Sequence, residues 1–221
     1  MKIIIVPGLS SPNCPEYKRV YGPLLEEASR RFPRARSEVI LLPGQGDPNG
    51  HVVGEFLIPE AATRLRSTLE AEKTNDHFLI ARSSGCNVVA ELLATWEGTS
   101  VKRVVFWGPP PFWLYCDMFG TGKGMFYDKC AKTWVHVTKN IVQTTAPWES
   151  RLPSISCPVR LATGDRDNFC RPEYLKYIRA CVANKGNFDF PDAVVNCPHS
   201  VTPELPCWSD YCEALFGWLL R

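Results

Sequence analysis

The chain has 221 residues, 45% of them hydrophobic and 22% charged, with a net charge of +2. That suits one globular domain, 1–221, with a sizeable core, and the lysines and arginines are scattered, with no basic stripe to mark a nucleic-acid partner. The opening MKIIIVPGLS is too short an apolar run for a signal sequence or a membrane span, and there is no Asn-x-Ser/Thr acceptor. A cytoplasmic protein is therefore expected.

In chain order, IIIVPG (3–8) reads as a short buried strand. YGPLLEEASRRF (21–32) places Tyr21, Leu24, Leu25, Ala28 and Phe32 on one helical face. SEVILLPG (37–44) is a strand, LIPEAATRLRSTLEAE (57–72) a helix, HFLIA (77–81) a strand and NVVAELLATW (87–96) a helix. VKRVVFWG (101–108) and PVRLATG (158–164) are strands, and PEYLKYIRACVA (172–183) is a helix with proline at its start. DAVVNC (192–197) is the last strand and WSDYCEALFGWLL (208–220) the closing helix. This alternation predicts an α/β fold: a three-layer α/β/α sandwich around a mostly parallel, about six-stranded sheet.

One segment breaks the alternation. Between VVFWG and PVRLATG lie roughly forty residues without an expected strand, rich in Phe, Trp, Tyr, Pro and Gly. A connection this long inside a compact domain is usually a binding loop or lid, so 109–150 is expected to be a lid-like insertion. The ordinary alternative is a helical excursion that simply packs on the core. Its aromatics Phe112, Trp113, Tyr115, Phe119, Phe126 and Trp134 are candidates to line a substrate pocket.

Ten cysteines are present, several of them inside apolar periodic segments, with no CxxC pair. They read as reduced, buried thiols rather than a disulfide framework or a zinc site. Two glycine-rich stretches carry no phosphate motif. PGQGDPNG lacks the GxGxxG spacing, and GTGKG places Gly124 where Ser or Thr would hold magnesium.

In an open parallel sheet, ligands bind beyond the carboxyl ends of the strands. After the third expected strand comes ARSSGC (81–86). A tight strand-to-helix turn needs small residues two positions to either side of its apex. With Ser83 at the apex the flanks are Ala81 and Gly85; with Ser84 they are Arg82 and Cys86, and Arg82 fits badly. Ser83 is therefore the candidate nucleophile, against the plainer reading of a helix N-cap. Arg82 becomes the exposed residue beside it, at the mouth of the site.

A nucleophilic serine needs a base and an orienting carboxylate. Of four histidines, His77 starts a strand and lies at the wrong edge, His51 sits on a loop far to one side, and His136 falls in the insertion. His199, just past the last strand, is the candidate base. Asp165 and Asp167 both follow the penultimate strand in GDRDN, and Asp167 is preferred because it comes after the chain has reversed. The plainer readings are a polar turn and a surface histidine.

The order Ser83, Asp167, His199, each after a different strand, resembles that of α/β-hydrolases. The short first strand ending in PG, the I-x-x-SSG turn and the late GxxD turn are similar to small serine hydrolases of the retinoblastoma-binding protein nine type. The aromatic insertion departs from those compact relatives, and Pro198 stands before His199 where they often have glycine. LYCDM (114–118) lacks the glutamate of a Leu-x-Cys-x-Glu motif, so no pocket-protein partner follows. The resemblance implies an oxyanion hole from the N–H groups of Ser84 and Leu9. It implies a serine hydrolase acting on a small-molecule ester or thioester through an acyl-enzyme, with no metal or organic cofactor. Phe112, Trp113, Tyr115 and Arg82 are the expected substrate contacts. The alternatives are a hydrolase-like binding protein, or acyl transfer or lyase chemistry on the same fold.

Overall fold

The computed structural model describes residues 1–9, 15–45, 54–72, 76–120, 126–128 and 133–219; for 15–17, 126–128 and 133–134 it describes the backbone alone. His51, Lys123 and Gly124 lie outside the described residues, and so do the side chains of Phe126 and Trp134.

The strands are β1 (Lys2–Val6), β2 (Arg36–Val39), β3 (His77–Arg82), β4 (Val101–Trp107), β5 (Phe126–Asp128), β6 (Thr133–Val135), β7 (Val159–Ala162), β8 (Gly164–Arg166), β9 (Phe188–Asp189) and β10 (Val194–Pro198). The α-helices are α1 (Pro15–Arg31), α2 (Ile58–Ala71), α3 (Gly85–Ala94), α4 (Phe112–Phe119), α5 (Asn140–Thr144), α6 (Pro172–Cys181) and α7 (Trp208–Cys212). A 3₁₀ segment covers Trp148–Ser154, and α7 runs on as one π-turn through Glu213–Gly217.

Six strands form one sheet in the order β2-β1-β3-β4-β7-β9, with every pairing parallel. Strand parity divides the core. Ile4, Val6, Leu79, Ala81, Val104 and Phe106 face the layer that holds α2, α3 and the 3₁₀ segment. Ile3, Ile5, Ile80, Val105 and Trp107 face the layer of α1 and α7. Burial on both faces is why these strands read as continuous apolar runs rather than alternating ones. The chain leaves β1 toward β2 on one side and returns to β3 on the other. The switch point of the sheet therefore lies at the carboxyl ends of β1 and β3.

Several element boundaries differ from the sequence reading. α1 begins at Pro15 and carries Pro23 inside it. Pro23 stands mid-helix, where it forgoes the bond to the Arg19 carbonyl and crowds that turn, so GP at 22–23 interrupts the ladder rather than starting the helix. β2 stops at Val39, although Ile40 and Leu42 remain buried beyond it. The expected last strand, DAVVNC, does not join the main sheet: β10 pairs with β8 in a separate two-stranded parallel ladder. The sixth place is taken by β9, a two-residue pairing at Val159↔Phe188 and Arg160↔Asp189 too short to leave a periodic signal.

The segment 109–150, expected without strands, contains an antiparallel hairpin of β5 and β6 between α4 and α5. Tyr115, Phe119, Val135, Val137, Ile141 and Trp148 are buried in the α2/α3 side of the core. Much of its apolar content therefore serves packing. Among the described residues no helix is long and apolar enough to cross a membrane.

Candidate active site

The sharp turn between β3 and α3 is built from ARSSGC. Ser83 has φ 51°, a left-handed conformation that costs an ordinary residue on the order of 1–3 kcal/mol. Three features hold it there. Its N–H donates to Trp107 O at 2.9 Å, tying the apex to the end of β4. Its carbonyl accepts the Cys86 N–H at 2.9 Å, starting the helix. A β-carbon on Gly85 would stand 2.3 Å from Val6 O and 2.6 Å from Pro7 O, so only glycine lets α3 approach the β1 loop. Ala81, fully buried, is the small residue on the other flank. Ser84 stands at the N-cap of α3 but makes no side-chain capping bond, which removes the plain capping explanation for the serine pair.

The loop after β1 crosses directly over this apex. A β-carbon on Gly8 would come within 2.7 Å of Ser83 Cβ and 3.1 Å of its Oγ. Leu9 follows, packed on the α2/α3 side of the core. Among the described residues neither the Leu9 nor the Ser84 N–H has an acceptor. Gly8 thus abuts the Ser83 side chain, and Leu9 and Ser84 are the next residues along their two loops.

Asp167 and His199 meet beyond β7 and β10. His199 Nδ1 lies 2.8 Å from Asp167 Oδ2. The carboxylate is buried, and its Oδ1 accepts the N–H groups of Phe169 and Cys170, each at 2.8 Å. Thr163 Oγ1 sits 3.2 Å from Oδ2, but its single hydrogen is better placed toward Cys170 O at 2.7 Å. With Oδ1 held by two backbone N–H groups, Oδ2 is left to face the imidazole. The geometry puts the hydrogen on Nδ1 and leaves Nε2 as the lone-pair nitrogen. Asp165 does something else: its Oδ1 accepts the Cys197 N–H at 3.1 Å, bracing β10 two residues before His199.

Gly108 joins the two halves. It has φ +57°, and its N–H donates to Ala162 O at 2.9 Å. A β-carbon there would lie 2.6 Å from Asp167 Oδ2 and 2.9 Å from His199 Nδ1. Since Ser83 is bonded to Trp107 and Gly108 lies under the His199 ring, the serine and the Asp–His pair flank the same end of β4.

The expected substrate contacts separate. Arg82, expected exposed at the mouth, is buried at 5%. Its guanidinium lies over the rings of Tyr21 and Tyr211, 5.1 and 5.7 Å from their centroids, and reaches His199 O at 3.4 Å. Strand parity explains the correction: Ala81 faces α3, so Arg82 must face α1 and α7, beneath the sheet. Tyr115 is buried beside the Ser84 hydroxyl, and burial pushes its phenol well above the ordinary tyrosine range. Phe112 is half-buried, its N–H donating to Glu149 Oε1 at 3.3 Å, while Trp113 is 61% exposed. Phe169, which sequence reasoning passed over, is 41% exposed with its ring centroid 4.8 Å from that of His199. An aromatic two residues after the candidate acid was the available signal. Gly108, directly after a strand at the carboxyl edge, was another.

No family model and no curated protein matches the chain. Solved structures do. Est1E from Butyrivibrio proteoclasticus, with ferulic acid bound, superposes with a TM-score of 0.70 at 15% identity, over 99% of this chain and 88% of that one. A monoacylglycerol lipase from Paleococcus ferrophilus gives 0.72 at 15% identity, over 99% and 93%. A thermophilic esterase from Thermogutta terrifontis, with malate bound, gives 0.64 at 16% identity, over 100% and 89%. The chain has the α/β-hydrolase fold. The narrower likeness to the retinoblastoma-binding protein nine type rests on the sequence motifs alone.

Proposed function

We propose that the protein is a serine hydrolase that cleaves a small carboxylic ester or thioester through an acyl-enzyme. The observation that carries this reading is the 2.8 Å pairing of His199 with the saturated Asp167 carboxylate, at the same sheet edge where Ser83 is held at a positive φ. Strain of that kind persists where the surroundings over-determine it, and a nucleophile elbow is one such place.

In this reading Ser83 Oγ attacks the acyl carbonyl while His199 Nε2 takes its proton. Asp167 keeps the Nδ1–H in place and stabilises the imidazolium that forms. The carbonyl oxygen, becoming anionic, receives the N–H groups of Leu9 and Ser84, and each such donor supplies ~3 kcal/mol to the transition state. His199 then returns the proton to the leaving alcohol or thiol, and water, activated by the same imidazole, releases the acid. The exposed rings of Phe169 and Trp113 suit an apolar or aromatic substrate part. The neighbours that bear the names esterase and lipase support ester chemistry over peptide cleavage.

The test is labelling with a fluorophosphonate, which phosphonylates an activated serine. Wild type is expected to label on the peptide that carries Ser83, Ser83→Ala not at all, and Ser84→Ala still to label. Equal labelling of wild type and Ser83→Ala, or none in either, removes the nucleophile and the function with it.

A further inference from the structure

We propose that Gln45 is a positioning residue for the oxyanion hole: its side-chain amide sets the Gly8–Leu9 peptide so that the Leu9 N–H is presented to the Ser83 side. This rests on the acyl-enzyme reading above.

Gln45 is 4% exposed and makes two buried hydrogen bonds. Its Nε2 donates to Gly8 O at 2.8 Å, and its Oε1 accepts the Leu42 N–H at 2.9 Å. A backbone carbonyl can only accept and a backbone N–H can only donate, so the two partners together fix which end of the amide is which.

Gly8 O and the Leu9 N–H belong to one peptide unit. Among the described residues no peptide bond is cis, so in the Gly8–Leu9 unit the two groups point in opposite directions. Gln45 follows β2, on one side of β1, and Ser83 follows β3, on the other. Drawing the Gly8 oxygen toward the β2 side therefore turns the Leu9 N–H toward the β3 side, where Ser83 abuts Gly8. Without that tie, little opposes rotation of the peptide, because glycine contributes one of its two torsions. A flipped unit would aim a carbonyl oxygen at the developing oxyanion.

The anchor is itself anchored. Gln45 forms an antiparallel bridge with Val135 at the end of β6, and the His136 N–H donates to Gly44 O at 3.0 Å. Gly44 has φ +76°, and a β-carbon there would strike Phe56 N at 2.1 Å. Among the described residues, the 109–150 segment thus reaches the Gly8 carbonyl by way of Gln45.

The test follows the rate of Ser83 phosphonylation by a fluorophosphonate, whose phosphoryl oxygen occupies the same donors, against pH. Gln45→Leu is expected to slow labelling by roughly 10- to 100-fold at every pH. Gln45→Glu separates positioning from packing. A protonated carboxyl can accept from Leu42 and donate to Gly8 O; a carboxylate cannot donate. The ratio of the Gln45→Glu rate to the wild-type rate is therefore expected to fall as pH rises through the introduced carboxyl's pKa, while the Gln45→Leu ratio stays flat. A pH-flat ratio for Gln45→Glu, including a uniformly inactive one, overturns the positioning role even where Gln45→Leu is slow. Ser83-dependent labelling that Gln45→Leu leaves at the wild-type rate overturns it too, and leaves the acyl-enzyme reading standing. Wild-type labelling that is absent, or that survives Ser83→Ala, overturns both.

Discussion

A β-carbon on Gly108 would stand 2.6 Å from Oδ2 of Asp167, the oxygen that holds the His199 ring. The end of β4 is therefore shaped around the Asp–His pair. Gly108→Ala adds strain at φ +57° of about 1 kcal/mol and forces the carboxylate or the ring aside. Displacing a catalytic group by about an ångström costs on the order of 10²-fold in rate. If the proposed function holds, the expected outcome is a modest loss of thermal stability with a loss of turnover on an ester substrate of that size or more. Near-normal turnover in a folded variant would show that the pair is not used.

The two aspartates of the GDRDN turn are expected to part ways. Asp167→Asn keeps the shape but presents an amide to Nδ1, favouring the wrong imidazole tautomer, and about a 10⁴-fold fall in kcat is expected. Asp165→Asn retains an oxygen for the Cys197 N–H and should keep turnover within severalfold. Steady-state kinetics on the pair of variants decides between them, and the reverse ranking would exchange their roles.

In the proposed role, Ser83 pairs function with strain. Glycine adopts φ 51° freely and alanine does not, so Ser83→Gly should be more stable than Ser83→Ala by about 1 kcal/mol. For a chain of this size that is a melting-temperature difference of roughly 2–4 °C. Both variants should fail to label. Equal melting temperatures would mean that the backbone relaxes and the elbow stores no strain.

How much of this was legible in the sequence depends on the range of the interaction. Buried strands and amphipathic helices are short-range signals, and β1, β3, α2 and α3 could be read within a residue or two. The small flanks Ala81 and Gly85 pointed to Ser83 because crowding at a strand-to-helix turn is local. Asp167 and His199 could be chosen because each follows a strand at the carboxyl edge. Arg82 was misplaced through neglect of strand parity, which a count from Ile80 would have supplied. Gln45 was invisible: it acts on Gly8 across 37 residues, through a hydrogen bond that no spacing encodes. The two-residue β9 was lost because its pairing is set by β7 rather than by its own pattern.

The burial of Arg82 carries its own prediction. Its guanidinium lies over Tyr21 and Tyr211 and braces His199 O from beneath the sheet. Arg82→Met keeps the apolar stem and removes the charge, and should cost about 1–2 kcal/mol of stability from the lost ring contacts. KM for neutral and anionic esters should shift together, within about threefold. A selective rise in KM for anionic esters alone would return Arg82 to the mouth of the site.

At the opposite edge of the sheet, His77 is fully buried and, among the described residues, neither ring nitrogen has a hydrogen-bond partner. Burial, reinforced by the neighbouring Lys2 ammonium and the N-terminus, lowers its pKa below the ordinary 6.5, with Glu72 and Asp76 opposing. The sign of the consequence is fixed. Between the depressed folded value and the unfolded one, the unfolded chain holds a proton that the native chain does not, so stability falls as pH drops through that window. Denaturant titrations from pH 7.5 down to pH 5 should show this decline in the wild type. His77→Gln, which cannot titrate, should lessen the slope just below 6.5, the ordinary histidine value, while the paired Glu27, with its pKa lowered from 4.5 to about 2, loses its stabilising contribution only below about pH 5. An unchanged slope in His77→Gln would place the acid-sensitive group elsewhere.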